Sequence, residues 1–339
     1  MFSRALSRAL AEELAAGRKA VLLLNQRGFA KFLLCRECGF VPECPSCSTS
    51  LTFHERGNFL ICHHCGYRVT APPTCPECGS PYLRKFGAGT QRVEADLRVL
   101  LDATPGVGPD VPIVRMDADT TGGKGAHQRL LEEFAAADAA VLLGTQMIAK
   151  GLDFEDVTLV GVINADTMLR LPDYRAAERT FQLLVQSAGR SGRGEKPGRV
   201  LVQTRDVGHY CWEFVERADY EGFYEREIAL REKRRYPPFV KLALVRVSFP
   251  QEWKEGPGLL GALASALREA GREAGVTVLG PAPAPLARLQ GRLRYQCLLK
   301  AADWQAVRRT YGRASRKTLP GVAPREWRGS LDLDPVNML

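Results

Sequence analysis

The sequence has none of the long apolar segments that would place a chain in a membrane. No apolar run reaches the roughly 18 residues that a membrane-spanning helix needs. The first residues, Met1–Leu6, lack the basic region and the apolar core that together make a secretory signal. We therefore expect a cytoplasmic protein with no membrane partner.

The sequence also lacks the usual means of binding a nucleoside triphosphate. The pattern Gly-x4-Gly-Lys-Ser/Thr, whose backbone amides hold phosphates, occurs nowhere, and Gly122–Gly125 has neither its spacing nor its hydroxyl. No Asp-Glu-x-His box follows an apolar strand. These absences predict that the chain does not hydrolyse ATP by itself.

The composition is that of an ordinary globular protein with an uneven charge. The 339 residues are 45% hydrophobic and 25% charged, which argues against disorder, collagen-like repeats and fibres and predicts two or three domains. The formal net charge is +9, and residues 236–339 alone contain 16 Lys and Arg against 8 Asp and Glu. A local basic excess suggests a polyanionic partner, nucleic acid first, although it can also be a solvated surface.

Eight of the ten cysteines form four Cys-x2-Cys pairs within a short stretch, residues 35–78. Each pair can offer two thiolates to a tetrahedral Zn(II), so four pairs make two closed four-cysteine sites with no open position for water. The zinc is therefore predicted to be structural rather than catalytic. Disulfide or redox pairs are the alternative interpretation, which four adjacent motifs disfavour. The remaining Cys211 and Cys297 are expected to be buried, inert thiols.

The four pairs can share the two metals in consecutive or in nested order. Loop-closure entropy favours consecutive pairing by only about 1.3 kcal/mol. The segments Leu51–His54 and Asn58–Ile61 flank a turn at Arg56-Gly57, which predicts a hairpin and a zinc ribbon. Such a hairpin favours nested pairing. The inner site would then contain Cys44, Cys47, Cys62 and Cys65, and the outer site Cys35, Cys38, Cys75 and Cys78. The neighbouring His63 and His64 are not expected to bind metal.

Strand-like and helical segments alternate on both sides of the cysteine-rich stretch. Residues 3–16 have leucines at helical spacing, with Ser3 as the N-cap and Gly17 as the stop, and residues 20–25 form a short apolar run typical of a buried parallel strand. Later strand-like segments cover residues 113–116, 140–143, 158–163 and 199–203, and helical patterns cover residues 90–102, 126–137 and 175–189. This alternation predicts an α/β domain with a parallel sheet, into which the zinc module is inserted after the first strand.

The last third of the chain predicts a separate α+β domain. Its strand-like segments (240–249, 276–279, 293–300 and 327–333) and helical segments (259–270 and 303–316) follow the order βαββαβ of a ferredoxin-like fold. Gly256–Gly258 and Gly280–Pro285 are predicted to be loops. We thus expect three units, which are residues 1–34 with 84–235, residues 35–83, and residues 236–339.

Three polar segments accompany the predicted parallel sheet, whose strand ends are where such sheets carry their chemistry. Arg115–Asp119 ends one strand, Gly144–Phe154 ends the next, and Gln186–Arg193 closes a helix. Arg190 and Arg193 could neutralise charge on a transferred phosphoryl group, or they could be a surface basic pair. Lys150 could contact a phosphate of a nucleic acid or take part in coupling.

In this order and at these separations the motifs resemble one known family. The matching segments are Leu22–Ala30, the four cysteine pairs, GTQMIAKG at 144–151, QSAGRSGR at 186–193, Tyr236–Phe239, Gly280–Pro283 and Asp332–Pro335. They are similar to the C-terminal part of the PriA-type primosomal helicases of superfamily 2, and the similarity covers essentially the whole chain. The resemblance implies a second RecA-like helicase lobe, an ATP-dependent 3′→5′ DNA helicase activity and the restart of stalled replication forks by primosome assembly.

The resemblance also implies roles for individual residues. Those that would couple the nucleotide to DNA contact are Thr145, Gln146, Gly151 and Asp153, and those that would face a triphosphate supplied by the other lobe are Gln186, Arg190 and Arg193. Either arginine could be the arginine finger. ATP and Mg(II) would be shared with a first lobe that this chain lacks, so the chain is expected to be a fragment or part of a split gene. Arg292 and Gln296 match the docking positions for the acidic tail of single-stranded DNA-binding protein.

The implied partners are forked and single-stranded DNA, single-stranded DNA-binding protein, primosome proteins and the loader of the replicative helicase. Two interpretations of the chain are open. It is part of a DNA helicase, to which it supplies arginine fingers, DNA contacts and structural zinc, or it is a non-catalytic, zinc-containing scaffold that binds DNA or protein. An upstream reading frame with a phosphate-binding loop would favour the first interpretation.

Overall fold

The computed structural model describes residues 1–24, 32–45, 50–54, 57–86, 90–108, 110–117, 120–145, 148, 156–188, 198–323 and 325–338. The first domain contains the strands β1 (Lys19–Leu23), β7 (Ile113–Met116), β8 (Ala140–Gly144), β9 (Val157–Val162) and β10 (Arg199–Val202). They form a parallel sheet in the spatial order β10-β9-β1-β8-β7. The central strands are short apolar runs because both faces of the sheet are covered. The predicted α/β class with a parallel sheet is confirmed.

Helices cover both faces of this sheet. They are α1 (Arg4–Ala15), α2 (Thr90–Asp102), α3 (Ala126–Ala136), α4 (Asp166–Leu169) and α5 (Ala176–Ala188). The side chain of Ser3 caps α1 by accepting a hydrogen bond from a backbone N–H of the first turn, as predicted. Helices α1 and α2 pack on one face through Leu10 and Leu97, and α3 and α5 pack on the other through Phe134 and Leu184.

The cysteine-rich stretch leaves and rejoins this domain through a two-stranded antiparallel neck. The neck consists of β2 (Phe32–Cys35) and β6 (Leu83–Phe86). Beyond it, β3 (Thr52–His54), β4 (Phe59–Ile61) and β5 (Arg68–Thr70) form a small antiparallel sheet. Strands β3 and β4 are the predicted hairpin, with Phe53 opposite Leu60. Apolar side chains and cysteines give this module a core of its own.

Two helices, α6 (Cys211–Arg217) and α7 (Tyr220–Arg234), lead into the C-terminal domain. That domain contains β11 (Lys241–Pro250), α8 (Gly256–Ala274), β12 (Thr277–Leu289), β13 (Arg292–Ala301), α9 (Trp304–Thr318) and β14 (Arg328–Leu333). Its antiparallel sheet has the order β12-β13-β11-β14, which is the ferredoxin-like arrangement that the sequence predicts. Among the described residues, no helix is both long and apolar enough to cross a membrane.

The prediction of two loops in this domain is wrong. Gly256–Gly258 begins α8, with a proline in the first turn, where a missing N–H breaks no helical hydrogen bond. Gly280–Pro285 lies within β12, which continues to Leu289 with shifts in its pairing register. Prolines are tolerated there because β12 is an edge strand and need not donate to a neighbour on its outer side.

Candidate functional site

The four cysteines at the base of the zinc module lie together. The Sγ atoms of Cys35, Cys38, Cys75 and Cys78 are all within 4.8 Å of one another. Sγ–Sγ distances are 3.6 Å for the Cys35–Cys78 and Cys38–Cys75 pairs. Burial acts to raise the pKa of the Cys35 thiol, but the backbone N–H groups of Cys38 and Glu37 bring that pKa down to about 6. The thiolate form, which binds metals, is therefore favoured at Cys35. Backbone hydrogen bonds act to lower the pKa of Cys38 and of Cys78, but burial and the neighbouring thiols raise both.

The inner cysteines are gathered by the hairpin. The Sγ atoms of Cys44, Cys62 and Cys65 lie within 4.8 Å of one another, with 3.6 Å between Cys44 and Cys65. Strand β4 ends at Ile61 and so leads directly into Cys62. The fourth cysteine of the inner set, Cys47, lies outside the described residues. The described cysteines are therefore grouped in nested rather than consecutive order.

Three of the Cys-x2-Cys segments fold into the same tight turn, which we call a knuckle. In each, the glycine after the second cysteine donates its N–H to the carbonyl O of the first cysteine: Gly39 to Cys35 (3.1 Å), Gly66 to Cys62 (2.9 Å) and Gly79 to Cys75 (2.9 Å). Each glycine has a positive φ, between +73° and +83°. Because these turns bring the sulfurs of two pairs together, the donor set fits a tetrahedral Zn(II).

The two histidines between Cys62 and Cys65 bond to protein carbonyl groups. His63 Nδ1 donates to the carbonyl O of Pro283 (2.6 Å), and His64 Nε2 donates to that of Pro172 (3.0 Å). Both rings are buried, and burial lowers the pKa of His63 to about 4 and also lowers the pKa of His64. These histidines link the zinc module to the C-terminal domain and to the parallel-sheet domain, respectively.

Two of the knuckle glycines lie directly against the neighbouring domains. A Cβ atom at Gly39 would lie 2.5 Å from the carbonyl O of Arg205 in the sheet domain. A Cβ atom at Gly66 would lie 3.1 Å from the carbonyl O of Pro281 in β12. Only residues without a side chain allow so close an approach of two backbones, and the positive φ favours glycine as well. The zinc module is thus wedged between the other two domains.

The two residues that the resemblance assigns to partner binding are engaged inside the chain. Gln296 is 2% exposed, and its Nε2 donates to the carbonyl O of His63 (2.8 Å). The Arg292 guanidinium donates to the hydroxyl and the carbonyl O of Ser248 and to the backbone carbonyls of residues 325 and 326. A partner would have to displace the Gln296 contact and compete with carbonyl groups for Arg292. The sequence pattern did not predict these contacts.

The segment Gly144–Phe154 begins at a crowded strand end. A Cβ atom at Gly144 would lie 2.4 Å from the carbonyl O of Met116, so glycine is required there. Thr145 follows at the carboxyl edge of the parallel sheet, and its carbonyl O accepts a hydrogen bond from the N–H of Ile148 (3.1 Å). The other proposed residues of this segment, Gln146, Gly151 and Asp153, lie outside the described residues.

Gln186, the first residue of the segment Gln186–Arg193, lies toward the other edge of the sheet. Gln186 is exposed near the end of α5. Because α5 joins two parallel strands, it returns the chain toward their amino ends, whereas Thr145 lies at the carboxyl ends. The sequence places Gln186–Arg193 among the polar segments of the sheet, and the structure puts Gln186 toward the amino edge rather than the carboxyl edge, where parallel sheets usually carry their chemistry. Arg190 and Arg193 lie outside the described residues.

A contact that the sequence did not predict ties the end of the chain to the start of α5. Arg175 Nη1 donates to the carbonyl O of Pro335 (2.7 Å). Met338 is fully buried, and its N–H donates to Asp173 (3.2 Å). The only signal in the sequence was that Asp332–Pro335 matched a family motif. The segment therefore connects the C-terminal domain to the start of α5, the helix that leads to Gln186.

Models of three protein families match the chain. Residues 86–195 match the helicase conserved C-terminal domain, residues 44–69 match the PriA DNA helicase Cys-rich region domain, and residues 232–336 match the primosomal protein N C-terminal domain. The fold and the site therefore define a helicase C-terminal lobe that carries an inserted cysteine-rich, zinc-binding region and a further α+β domain.

Relatives from distant bacteria are similar to the chain along most of its length. The replication restart protein PriA of Bacillus subtilis is 49% identical over 300 residues, which is 88% of this chain and 36% of that protein. The PriA of Synechocystis is 41% identical over 342 residues, covering 100% of this chain and 40% of the relative. The PriA of Haemophilus influenzae is 36% identical over 340 residues, covering 98% and 45%. The chain belongs to the PriA family, and it spans less than half the length of these relatives.

Proposed function

We propose that this chain supplies the second motor lobe of an ATP-dependent 3′→5′ DNA helicase that restarts stalled replication forks by primosome assembly. The observation that carries the proposal is the position of Thr145 and Gln186 toward opposite edges of one parallel sheet. Thr145 follows β8 at the carboxyl edge, and Gln186 lies near the end of α5, which leads back toward the amino edge. In the proposal, the segments that begin near these two residues connect a DNA contact with a nucleotide contact. The proposed units are residues 1–34 with 84–235, residues 35–83 and residues 236–339.

In this proposal ATP and Mg(II) are shared with a first lobe that carries the phosphate-binding loop. Arg190 or Arg193 places a guanidinium against the γ-phosphate, where negative charge develops during phosphoryl transfer. Gln186 faces the same triphosphate. The residues proposed to link the state of the nucleotide to DNA contact are Thr145, Gln146, Gly151 and Asp153.

The proposal includes two structural Zn(II) ions per chain, one in each cysteine set. The nested grouping of the described cysteines and the repeated knuckle geometry support it. Four thiolates close the coordination sphere and leave no position for water, so the metal would stabilise the module and take no part in the reaction. The knuckles that hold the metal also contact the neighbouring domains, so the metal would help to position those domains.

The proposed partners are forked and single-stranded DNA, single-stranded DNA-binding protein, primosome proteins and the replicative helicase loader, all in the cytoplasm. Exposed cations on α9 support an interaction with a polyanion. They are Arg308, Arg309, Arg313, Arg316 and Lys317, of which Arg313 and Lys317 also form surface ion pairs with Glu273 and Glu269. Arg292 and Gln296 are the proposed docking positions for the acidic tail of single-stranded DNA-binding protein. Because both already make internal hydrogen bonds, we expect that docking to be weak.

A second candidate function is a non-catalytic zinc-containing scaffold that binds DNA or protein. The absence of a phosphate-binding loop from the sequence favours this function for the chain acting alone. The two candidates differ in whether a partner lobe can restore catalysis.

The test measures ATP hydrolysis by the 339-residue chain alone and by the same chain joined to a first lobe with a phosphate-binding loop, each with and without single-stranded DNA. We expect no hydrolysis by the chain alone. In the joined protein, Arg190→Ala or Arg193→Ala should reduce turnover by about 10³–10⁵. DNA-stimulated hydrolysis by the chain alone contradicts the need for a first lobe. Full activity of both alanine variants contradicts the arginine-finger role, and an inactive joined protein that still binds DNA favours the scaffold.

A further inference from the structure

A cavity of about 440 Å³ lies where helix α7 faces the segment that leads into α5. One face of α7 lines it, because the lining residues of this helix recur at helical spacing, at positions 226, 227, 230, 231 and 234. The segment between α4 and α5 and the loop after β10 supply the opposite wall, and Glu43 and Ser50 of the zinc module contribute to it. The volume is in the range of ordinary ligand pockets.

The charges that line this cavity do not balance. Each carboxylate of the lining is already ion-paired, and the pairs are those of Glu43 and Asp206 with Arg170, Glu227 with Arg231, and Asp173 with Arg179. Arg226 and Arg234 also line the cavity and are exposed, and within the described part of the chain neither forms an ion pair. The cavity therefore has two guanidinium groups whose charge no carboxylate of the lining neutralises.

The opposite wall adds two hydrogen-bond donors that have no acceptor among the described residues. Arg170 Nε is buried and has no hydrogen-bond partner there. The N–H of Cys211 donates to Nδ1 of His209 (3.2 Å), so the neutral ring carries its proton on Nε2, for which the described residues supply no acceptor. Burial and the nearby Arg170 lower the pKa of His209 to about 4, so the ring is neutral at pH 7. The lining thus combines unneutralised positive charge with unused donors, which is the complement of an anion with several oxygen atoms.

The spacing of the two arginines indicates the size of that anion. Arg226 and Arg234 are eight residues apart, which is about 12 Å along the axis of α7. A ligand that meets both guanidinium groups therefore carries more than one anionic group, as two linked phosphates do, and each phosphate can accept from the planar fork of an arginine. The tyrosine rings of the lining already contact other rings and cations of the chain, so recognition falls on the phosphates rather than on a stacked base.

We infer that this cavity binds a small anion that carries a diphosphate group. The bound anion would hold α7, which leads into the C-terminal domain, against the wall that contains Arg170 and His209. The inference does not rest on ATP hydrolysis, because the cavity lies at the start of α5, whereas Gln186, which is proposed to face the triphosphate, lies near the other end of that helix.

The test measures binding of inorganic diphosphate to the zinc-loaded 339-residue chain by isothermal titration calorimetry. We expect one diphosphate per chain. Arg226→Ala and Arg234→Ala should each weaken its binding by about 10-fold to 100-fold, because each removes hydrogen bonds between charged groups. Lys233→Ala is the matched control, because Lys233 is an exposed cation on α7 next to Arg234 but does not line the cavity. It should leave the affinity unchanged.

A second titration, with ADP, distinguishes the sources of the diphosphate group. Binding of ADP at least as tight as that of inorganic diphosphate, and weakened by the same two substitutions, supports the inference and indicates a nucleotide. Weaker binding of ADP supports it with free diphosphate as the ligand.

Three results would overturn the inference. They are the absence of a measurable heat of binding, an equal loss of affinity in Lys233→Ala, which would mean that only overall charge matters, and displacement of diphosphate by a short single-stranded oligonucleotide at equal phosphate concentration, which would assign the arginines to a nucleic acid. Zinc content and thermal unfolding of each variant, measured with diphosphate present, establish that it is folded and retains its metal. Because the chain is titrated without a first lobe, failure of the proposed helicase function leaves these outcomes unaffected.

Discussion

Replacing each knuckle glycine by alanine measures how firmly the zinc module is held by its neighbours. Gly39, Gly66 and Gly79 occupy the same position in their turns and have similar positive φ values, so the backbone strain of an alanine is nearly the same in all three. That strain is about 1–2 kcal/mol. The surroundings differ, because a Cβ atom at Gly79 meets nothing within 4 Å, whereas the other two point at backbone carbonyls. Gly79→Ala is therefore an internal control for the other two substitutions.

The contact distances predict the order of the effects. At Gly39 the carbonyl O of Arg205 would have to retreat from 2.5 Å to at least 3.4 Å, the near limit of ordinary contact, a shift of about 0.9 Å. Overpacking of this kind costs about 1–3 kcal/mol, so Gly39→Ala should lose roughly 2–5 kcal/mol in total. At Gly66 the carbonyl O of Pro281 is already 3.1 Å away and need move only a few tenths of an ångström. Gly66→Ala should therefore lie between the other two variants.

Thermal unfolding with excess zinc, together with limited proteolysis of the link between α7 and β11, would measure these effects. The midpoint temperature of unfolding should fall least for Gly79→Ala and most for Gly39→Ala. The protease should cut the Gly66→Ala variant faster than the parent at the link to the C-terminal domain. Metal analysis must show the same zinc content in all three proteins. If Gly79→Ala were as destabilising as Gly39→Ala, backbone strain alone would account for the data and the docking argument would be refuted.

Three further predictions concern charge, metal and the end of the chain. Burial acts to raise the pKa of Glu13, but hydrogen bonds from Arg18, Thr158 and Arg199 lower it from 4.5 to about 2. The carboxylate therefore stabilises the fold above about pH 4.5 and loses that effect as the pH falls toward 2. Glu13→Gln should lower the free energy of unfolding, measured with urea, by at most about 3 kcal/mol at pH 7. The loss should become progressively smaller below about pH 4. Metal analysis should give two Zn per chain, and chelation should make the zinc module and its link to the C-terminal domain sensitive to protease. Met338→Ala should lower the unfolding free energy by about 2–5 kcal/mol in the same assay, because the side chain is fully buried.

Each of these predictions has a contrary outcome. A cost of Glu13→Gln that stays constant from pH 7 to pH 3 would mean that the charge of the carboxylate does not contribute. One Zn per chain, or none, would contradict the two closed sites. A Met338→Ala variant as stable as the parent would show that the end of the chain does not hold the C-terminal domain against α5. The exposed Val336, replaced by alanine, is the control for that variant.

The elements with local signals could be predicted from the sequence. Helix α1 begins after Ser3 because a capping hydroxyl and a leucine repeat lie within one short segment. Strand β1 is a buried apolar run bounded by polar residues, and the hairpin of β3 and β4 follows from a turn between two apolar segments. The ferredoxin-like order of the last domain followed in the same way from its alternating segments.

The contacts between domains could not be predicted, because they join residues far apart in the sequence. The bond between Gln296 and His63 spans 233 positions, and nothing in either neighbourhood indicates the other. The resemblance assigns Gln296 to partner binding, and nothing near it in the sequence indicates that its amide also bonds to the zinc module. Gly280–Pro285 was predicted as a loop for a related reason, because tolerance of proline in a strand depends on which strand lies at the edge of the sheet.

The neck of the zinc module has a consequence for how this part of the molecule can vary. Because β2 and β6 lie side by side, the chain enters and leaves the module at nearly the same place, about 5 Å apart. To the parallel sheet, the whole insertion is equivalent to a single loop between β1 and α2, so its length and content do not affect the order of the strands. Substitutions at exposed positions such as Tyr67 and Val69, on the outer edge of the module, should therefore leave the parallel sheet undisturbed. The positions that cannot vary in this way are those that contact a neighbouring domain, among them Gly39 and Gly66.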